Sequence, residues 1–467
     1  MGRVLGLVFV FVLFTSPLKA QEQTAGATDR TALGVTVYTN GLAMVRDTRR
    51  VTLSEGESRL ALEDVAARLV AASARLHGAG VRVLERDFEF DVISPQSLLA
   101  RAEGHDVDVV LLDDDNGKPL TQRGKVLSAE GQPVVMIDGK IWSEPPGILV
   151  YDQLPEGLRT RPTLLASVDA ATAGERLLDL GYLTEGLDWQ ADYTIELNKE
   201  MTRLDLEGWA TITNLSGADY PLADLQLVAG SVQRTQRPRP MLKARGTTMA
   251  MSAMAEADMP RRESLATFHL YDVGRRVTLK RNQAKQVALL GGADIESKRI
   301  LVLNGGPNLY GRNRGVQGPL HPQARVTFRN WKDNPGVPLP AGTARLYQKD
   351  SKGRLQFIGE DRVNDTPVNG TVTLTIGRAF DVTAHREQTD FRWIDRKNRQ
   401  AESAHKLVLA NGGDKPAELR VEENLGGEWR ILEESLPHDR VANRAVWTVS
   451  VPPREEVVLT YRIRTTP

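Results

Sequence analysis

Two aspartates and a tryptophan are the residues whose types and spacing most suggest catalysis. Asp188 and Asp192 flank Trp189, and Glu360 stands at the end of a stretch that predicts a β-hairpin. Cleavage of a glycosidic bond needs two carboxyl groups roughly 5–9 Å apart, and an aromatic ring beside them can support a sugar. The same residues are also typical of a tryptophan packed under a sheet, with aspartates that cap turns. We favour this second interpretation and keep a glycan hydrolase as an alternative.

Methionine is concentrated in one segment of the chain. Five of the nine methionines lie within residues 241–259, and Met249, Met251 and Met254 follow a spacing that suits a soft metal. Thioether sulfur is a suitable ligand for Cu(I). The segment is also rich in alanine and contains no histidine or cysteine that would assist such a site. A copper-binding loop is therefore a second alternative, and no resident cofactor is predicted.

The other residues that often carry chemistry form no known catalytic pattern. The seven histidines are scattered, without the spacing of a zinc site. Asp113, Asp114 and Asp115 resemble the start of a calcium loop but lack its distal glutamate, so a hairpin tip is the simpler interpretation. Neither a Gly-x-Ser-x-Gly elbow nor a phosphate-binding glycine loop is present in the sequence. These features predict a protein that is not an enzyme.

The amino-terminal segment predicts export. Arg3 is followed by an apolar run over residues 4–14 and then by mainly small and polar residues up to Ala20. This order is typical of a secretory signal peptide over residues 1–20, with a later candidate cleavage site at Ala27. The run is too short to span a bilayer, and no later stretch approaches the ~20 apolar residues required. We expect a protein of the periplasm or cell surface of a Gram-negative-type bacterium, without a transmembrane segment once the signal is removed.

The composition limits both the partners and the means of folding. The chain has 467 residues and no cysteine, so it must fold without disulfides after export. Lysine plus arginine equals aspartate plus glutamate at 60 each, which gives no overall attraction to nucleic acid or to an anionic membrane. We therefore predict no nucleic-acid partner.

Alternation of apolar and polar residues with a period of two runs through most of the chain. Leu204, Leu206 and Ile212 point one way while the polar residues between them point the other, as in half-buried antiparallel strands. Asp138 and Gly139 between two apolar runs predict a tight hairpin turn. The sequence thus predicts a mostly β fold of several antiparallel β-sandwiches. Five tryptophans are expected to pack between the sheets: Trp189, Trp209, Trp393, Trp429 and Trp447.

Helix is a minor component of the expected fold. Residues 62–77 place apolar side chains on one approximate helical face, and one or two helical turns are expected within residues 95–103. No heptad pattern lasts for three cycles, so no coiled coil is predicted.

Changes in composition predict the domain boundaries. Glycine-rich and proline-rich turns in the last part of the chain suit a small immunoglobulin-like sandwich. The predicted order is a signal peptide over 1–20, an N-terminal β domain over 21–172, a central β-sandwich over 173–380 with a flexible insertion over 233–262, and an immunoglobulin-like C-terminal sandwich over 381–467.

Several stretches resemble the secreted bacterial proteins of the domain-of-unknown-function family DUF4139, which is related to the mucoidy-inhibitor proteins. The resemblance is carried mainly by residues 181–193, 208–217, 338–361 and 379–382. It implies that the region around residues 62–77 is a loop leading into a strand, and that the coiled coil of longer relatives is missing. The histidine that relatives carry before a Thr-Pro pair is absent before Thr366. The family has no established chemistry.

These features predict an exported, non-enzymatic β-sandwich protein with a binding or structural role at the cell envelope. The expected partner is an envelope protein or polysaccharide. One alternative is an envelope glycan hydrolase that uses Asp188, Asp192 or Glu360. The other is a copper-binding protein that uses the methionine-rich segment.

Overall fold

The computed structural model describes residues 22–89, 92–112, 119–153, 155, 158–230, 264–265, 268–305, 311–312 and 315–466. In this part of the chain the fold is mostly β, as the alternation predicts. It contains one α-helix, α1 (Pro95–Ala102), and two 3-10 helices, Ala27–Asp29 and Ala71–Ser73. None of these helices has the length and apolar character needed to cross a membrane. The predicted signal peptide and the predicted insertion over 233–262 lie outside the described residues.

Thirty-one strands follow one another along the described chain. The first sixteen are β1 (Glu22–Ala25), β2 (Arg30–Tyr38), β3 (Leu42–Leu53), β4 (Gly56–Glu63), β5 (Arg75–Gly78), β6 (Val81–Glu89), β7 (Asp106–Leu112), β8 (Pro119–Ser128), β9 (Val134–Ile137), β10 (Lys140–Trp142), β11 (Ile148–Val150), β12 (Thr163–Ala170), β13 (Gly174–Glu185), β14 (Leu187–Leu197), β15 (Arg203–Asn214) and β16 (Tyr220–Ala229). The others are β17 (Ser264–Leu265), β18 (Phe268–Leu279), β19 (Gln283–Asn304), β20 (Val316–Leu320), β21 (Gln323–Arg329), β22 (Gly342–Lys349), β23 (Leu355–Val363), β24 (Thr371–Arg378), β25 (Val382–Asp395), β26 (Gln400–Asn411), β27 (Ala417–Asn424), β28 (Glu428–Glu434), β29 (Asp439–Val441), β30 (Arg444–Val451) and β31 (Glu456–Thr466).

The longest sheet has eleven strands in the order β1-β4-β12-β6-β5-β13-β3-β2-β16-β18-β17. Side chains alternate between buried and exposed positions, because successive residues of a strand point to opposite faces. Along β3, for example, Val51 and Leu53 are buried while Arg50 and Thr52 are exposed. β1 runs parallel to its neighbour β4. From β4 to β2 in the order given above, each strand is antiparallel to the next.

A smaller sheet has five strands in the order β10-β9-β8-β7-β11. Leu99 and Ala102 of α1 share a core with Val107, Val126 and Val135 of this sheet. The helix starts where predicted, because the Ser94 side chain accepts a hydrogen bond from the Ser97 amide and Pro95 occupies the first turn.

The carboxyl-terminal core lies between two other sheets. One has its main path in the order β23-β22-β14-β15-β19-β27-β30-β29, with β21 paired to β19 and β24, and the other has the order β20-β25-β26-β31-β28. Leu419 and Trp447 of the first sheet pack with Leu407, Leu409 and Leu459 of the second. We call this pair of sheets the carboxyl-terminal sandwich. β14 with β22 and β19 with β27 are parallel pairs.

The chain divides into two compact units. The first consists of Met1–Asp188, Thr213–Gln226 and Gly274–Gln283, and the second of Trp189–Ile212, Leu227–Val273 and Ala284–Pro467. Within the second unit, strands before residue 381 pair with strands after it: β20 pairs with β25, and β19 with β27. The domain boundaries and the immunoglobulin-like character of residues 381–467 stay predictions.

Two of the hairpins that the sequence predicts lie within the described residues and are formed. β9 and β10 pair antiparallel around Asp138 and Gly139, which both have the positive φ of such a turn. β22 and β23 pair antiparallel along most of their length.

The predicted helix over residues 62–77 is wrong. β4 ends at Glu63 and β5 begins at Arg75, with an irregular segment between them. Val65, Ala66 and Leu69 are buried, as an apolar face would require, but the backbone bonds to distant groups. The Arg68 amide donates to Ser216 O at 3.2 Å, and the Val70 amide donates to Leu183 O at 2.8 Å. The alternative, a loop leading into a strand, is confirmed.

The tryptophan prediction holds in part. Trp189, Trp429 and Trp447 are buried and Trp209 is half-buried. Trp393 is 38% exposed and contacts Phe391 edge to face at 5.5 Å. It lies near the carboxyl end of β25, beyond a shift in register between Gln388 and Asp390 that changes which residues face the core.

Candidate functional site

Trp189 occupies a core position and cannot serve as a sugar platform. Its side chain is 2% exposed, and its Nε1 donates to the Val228 carbonyl at 3.1 Å. Asp188 accepts a hydrogen bond from the Gly41 amide at 3.2 Å, which is a turn-capping contact. Asp188 and Asp192 are four residues apart on β14, a separation of about 13 Å in a strand. This pair therefore does not match the carboxyl spacing of a glycosidase.

Asp192 and Glu360 do come together, but around a cation. Asp192 accepts hydrogen bonds from Thr211 Oγ1 at 2.6 Å and from Arg345 Nη1 at 3.1 Å. Arg345 Nε lies 3.6 Å from Glu360 Oε2, because Arg345 and Glu360 are opposite each other in the β22–β23 hairpin. One guanidinium thus joins both carboxylates. The arrangement suits ion pairing on a sheet surface, in which neither carboxylate is without a cationic partner.

The predicted metal ligands cannot be placed. Met249, Met251 and Met254 lie outside the described residues, as do Asp113 to Asp115. Within the part of the chain that is described, no group of three or more histidine, aspartate or glutamate side chains could hold a metal ion. Copper binding by the methionine segment stays a prediction.

An aromatic side chain at one end of the carboxyl-terminal sandwich is the most accessible large apolar residue described. Phe380 is 88% exposed, although Ala379 and Val382 on either side are buried. The backbone around it is held by hydrogen bonds: the Ala379 amide donates to Pro322 O at 2.8 Å, and the Gly412 amide donates to Asp381 O at 2.7 Å. The ring is therefore presented from a fixed backbone.

Asn411 ties the neighbouring loops together. Its side-chain Nδ2 donates to the carbonyl oxygens of Lys415, Val451 and Pro452 at 2.8–3.1 Å, and its Oδ1 accepts from the Gly413 amide at 3.0 Å. Asn411 is buried, so these bonds replace hydration that the amide and the carbonyl groups have lost. We call Phe380 with the loops over 377–381, 411–415 and 452–455 the Phe380 platform.

A buried polar cluster lies inside the same sandwich. Arg386 of β25 pairs with Glu423 of β27, and Tyr461 of β31 donates to the same glutamate oxygen at 2.8 Å. The His405 ring stacks on Tyr461 with centroids 5.2 Å apart, and Ser403 Oγ lies 3.0 Å from its Nε2. We call these five residues the sandwich cluster.

The electrostatics of the sandwich cluster favour a structural role. Burial, followed by the charge of Glu423, raises the pKa of Tyr461 well above its usual value, so its hydroxyl stays protonated and donates. Burial, followed by the charge of Arg386, lowers the pKa of His405 to about 4, so its imidazole is neutral at neutral pH. Ser403, His405 and Glu423 are all buried, and Glu423 is bonded to Arg386 and Tyr461. The cluster therefore offers no accessible nucleophile.

Sequence reasoning missed both the platform and the cluster. For the cluster a signal was present: Arg386 follows Val382 and Ala384 at inward-facing positions of one strand, and Glu423 follows Val421 on another. Opposite charges on two inward faces indicate a buried ion pair. For Phe380, the signal was one large aromatic residue with a charged residue close by on each side, Arg378 and Asp381, at the junction of two strands.

Comparison with known proteins gives a family without a function. No curated protein matches the chain. The family model described as a domain of unknown function, DUF4139, matches residues 178–466. Because this match covers more than half of the chain, the protein belongs to the DUF4139 family.

Proposed function

We propose that the protein is an exported, non-enzymatic binding protein of the cell envelope, and that the Phe380 platform is its contact site for another protein. The exposure of Phe380 carries this proposal. Water contact with a large aromatic ring is unfavourable, and here the backbone on both sides of the ring is fixed by hydrogen bonds. Because this backbone is already ordered, a partner that covers the ring costs little backbone conformational entropy.

The surroundings of the ring favour a protein partner. Aromatic anchors surrounded by polar groups are typical of the central contacts in protein interfaces. Arg378 and Asp381, which are both exposed, provide such polar neighbours on either side of Phe380. The matching partner surface would hold an apolar pocket rimmed by charges of both signs.

The carboxylates support binding over hydrolysis. Arg345 bridges Asp192 and Glu360, and Asp188 caps a turn. The predicted signal peptide supports an envelope location.

Site-specific photocrosslinking in living cells tests the proposal. A photoreactive benzoyl-phenylalanine replaces Phe380 in the full-length protein, and a matched control carries the same group at Val458, which is 45% exposed on β31. We expect the probe at position 380 to form an adduct with one envelope protein, and the control to form none. Absence of an adduct at 380, or the same adducts at both positions, would overturn the contact site. Recovery of the protein only from the cytosol would overturn the envelope role.

A further inference from the structure

The eleven-stranded sheet splits between β5 and β6. The two strands are neighbours in the sheet, yet they pair only at Gly78 and Val81. The opposite edge of β5 pairs with β13, and the opposite edge of β6 pairs with β12. Away from this pair, the edge of β5 that faces β6 and the edge of β6 that faces β5 have no strand partner among the described residues.

A β-bulge explains why the strands separate. In the pairing of β6 with β12, Val83 lies opposite Val168 and Glu85 lies opposite Ser167, so Leu84 is an extra residue. Such an insertion bends the strand that carries it and increases its twist. Leu84 is 39% exposed.

The space between the strands is an open groove of about 420 Å³. Its lining consists of residues along these two strand edges: Arg75, Leu76, Val83, Leu84, Glu85 and Arg86. Backbone groups along such an edge are a template for another extended chain.

The charges that line the groove indicate which kind of peptide it would attract. Arg75 on one strand and Arg86 on the other are exposed, and neither has an ion-pair partner in the described part of the chain. Arg82, by contrast, pairs with Asp169 at 2.8 Å. With Glu85 as the one acidic residue of the lining, the groove carries a net positive charge.

We propose that the groove between β5 and β6 binds an extended acidic peptide segment of another protein. The peptide adds a strand to the sheet through backbone hydrogen bonds with β6, while its carboxylates pair with Arg75 and Arg86. This site lies in the first unit and does not depend on the Phe380 platform.

Peptide titration with the full mature chain tests the proposal. The probe is a short, fluorescently labelled synthetic peptide in which glutamate and valine alternate, and the control peptide replaces glutamate with lysine. Binding is measured by anisotropy, and amide hydrogen exchange is followed over residues 82–88. We expect the acidic peptide alone to bind and to slow exchange in that segment. The double variant Arg75→Glu with Arg86→Glu should bind about tenfold more weakly, and Arg50→Glu, on an exposed arginine outside the groove, should bind like the parent.

Three outcomes would overturn the proposal. Equal binding of the two peptides would show that Arg75 and Arg86 do not select an acidic peptide. Binding without slower exchange in residues 82–88 would show charge attraction without strand addition. A dimer of the protein itself that protects the same amides would make a second copy the occupant. Circular dichroism of both variants verifies that any loss of binding occurs in folded protein.

Discussion

Arg386 and Glu423 pair inside the carboxyl-terminal sandwich, where an uncompensated charge is costly. The pairing is incomplete: Nε and Nη1 of Arg386, Oε2 of Glu423 and Nδ1 of His405 have no hydrogen-bond partner among the described residues. The cluster is therefore sensitive to any added charge. Its one group with an ordinary pKa near neutral is His405, whose ring stacks on Tyr461 within the cluster.

Protonation of His405 should destabilise the protein as the pH falls. The folded state holds the pKa of His405 at about 4, below its usual value of 6.5, chiefly through burial and secondarily through the charge of Arg386. Between about pH 6.5 and pH 4 the unfolded chain therefore binds more protons than the folded chain, and stability decreases with decreasing pH. This difference between the two pKa values corresponds to a loss of about 3 kcal/mol in the free energy of unfolding over this pH range. We expect urea unfolding to report this loss, and a His405→Phe variant to lose less stability over the same range.

The variant comparison isolates the histidine from the carboxylates, which also titrate in acid. His405→Phe keeps a planar ring against Tyr461 and removes the titrating group. His105 provides the control, because its side chain is exposed, and His105→Phe should retain the parent's pH dependence. If His405→Phe and the parent lose stability in parallel between pH 6.5 and pH 4, His405 is not the responsible group.

Among strands and loops, the sequence predicts structures that depend on neighbouring residues and does not predict hydrogen bonds to residues far away in the chain. The β9–β10 hairpin follows from Asp138 and Gly139, whose backbone preferences act within the turn itself. The apolar pattern around Val65 and Leu69 predicts a helix, but such a pattern does not indicate which groups the backbone forms hydrogen bonds with. Those partners, the carbonyls of Ser216 and Leu183, are far away in the sequence.

The candidate sites were hard to predict for the same reason. The glycine-rich turns predicted in the last part of the chain include Gly412 and Gly413. The role of Asn411 was not predicted, because two of its carbonyl partners, those of Val451 and Pro452, lie about 40 residues further along the chain. Identifying such a residue from sequence would require knowing which loops meet at one end of the sandwich.

Removing the Asn411 amide should loosen the loops of the Phe380 platform. Asn411→Ala leaves three carbonyl groups and the Gly413 amide without their side-chain partner. Loss of buried hydrogen bonds of this kind costs about 1–3 kcal/mol per unsatisfied group, and we expect a net destabilisation of about 3 kcal/mol in denaturant unfolding. Amide hydrogen exchange should become faster in the loops over 411–415 and 452–455. The control Asn424→Ala changes an exposed asparagine at the end of β27 and should alter neither the unfolding free energy nor the exchange rates. Equal unfolding free energies of the two variants would contradict the role of Asn411.

For the molecule as a whole, β1 ties the first described residues to the eleven-stranded sheet. Ala25 of β1 accepts a 2.6 Å hydrogen bond from Nη1 of Arg49, a fully buried side chain. Glu22 forms two hydrogen bonds with the Arg159 guanidinium, at 2.7 and 3.1 Å. β1 also pairs with β4 over its whole length. A chain without β1 would leave the Nη1 donor of the buried Arg49 without its partner and would make β4 the edge strand of the eleven-stranded sheet.

If the proposed signal peptide is cleaved, the contacts of β1 favour a cut after Ala20 over one after Ala27. Both sites fit the sequence pattern, but the later cut would remove all of β1, at a cost of about 1–3 kcal/mol from the Arg49 donor alone. We expect the intact mass of protein recovered from the periplasm to correspond to a chain that begins at Gln21. Ala20→Tyr should accumulate uncleaved precursor because a large residue at the cut blocks processing, whereas Ala27→Tyr should be processed like the parent. A recovered chain that begins at Thr28 would mean that β1 is dispensable for the exported protein, and that the contacts of Glu22 and Ala25 are not needed to hold the sheet.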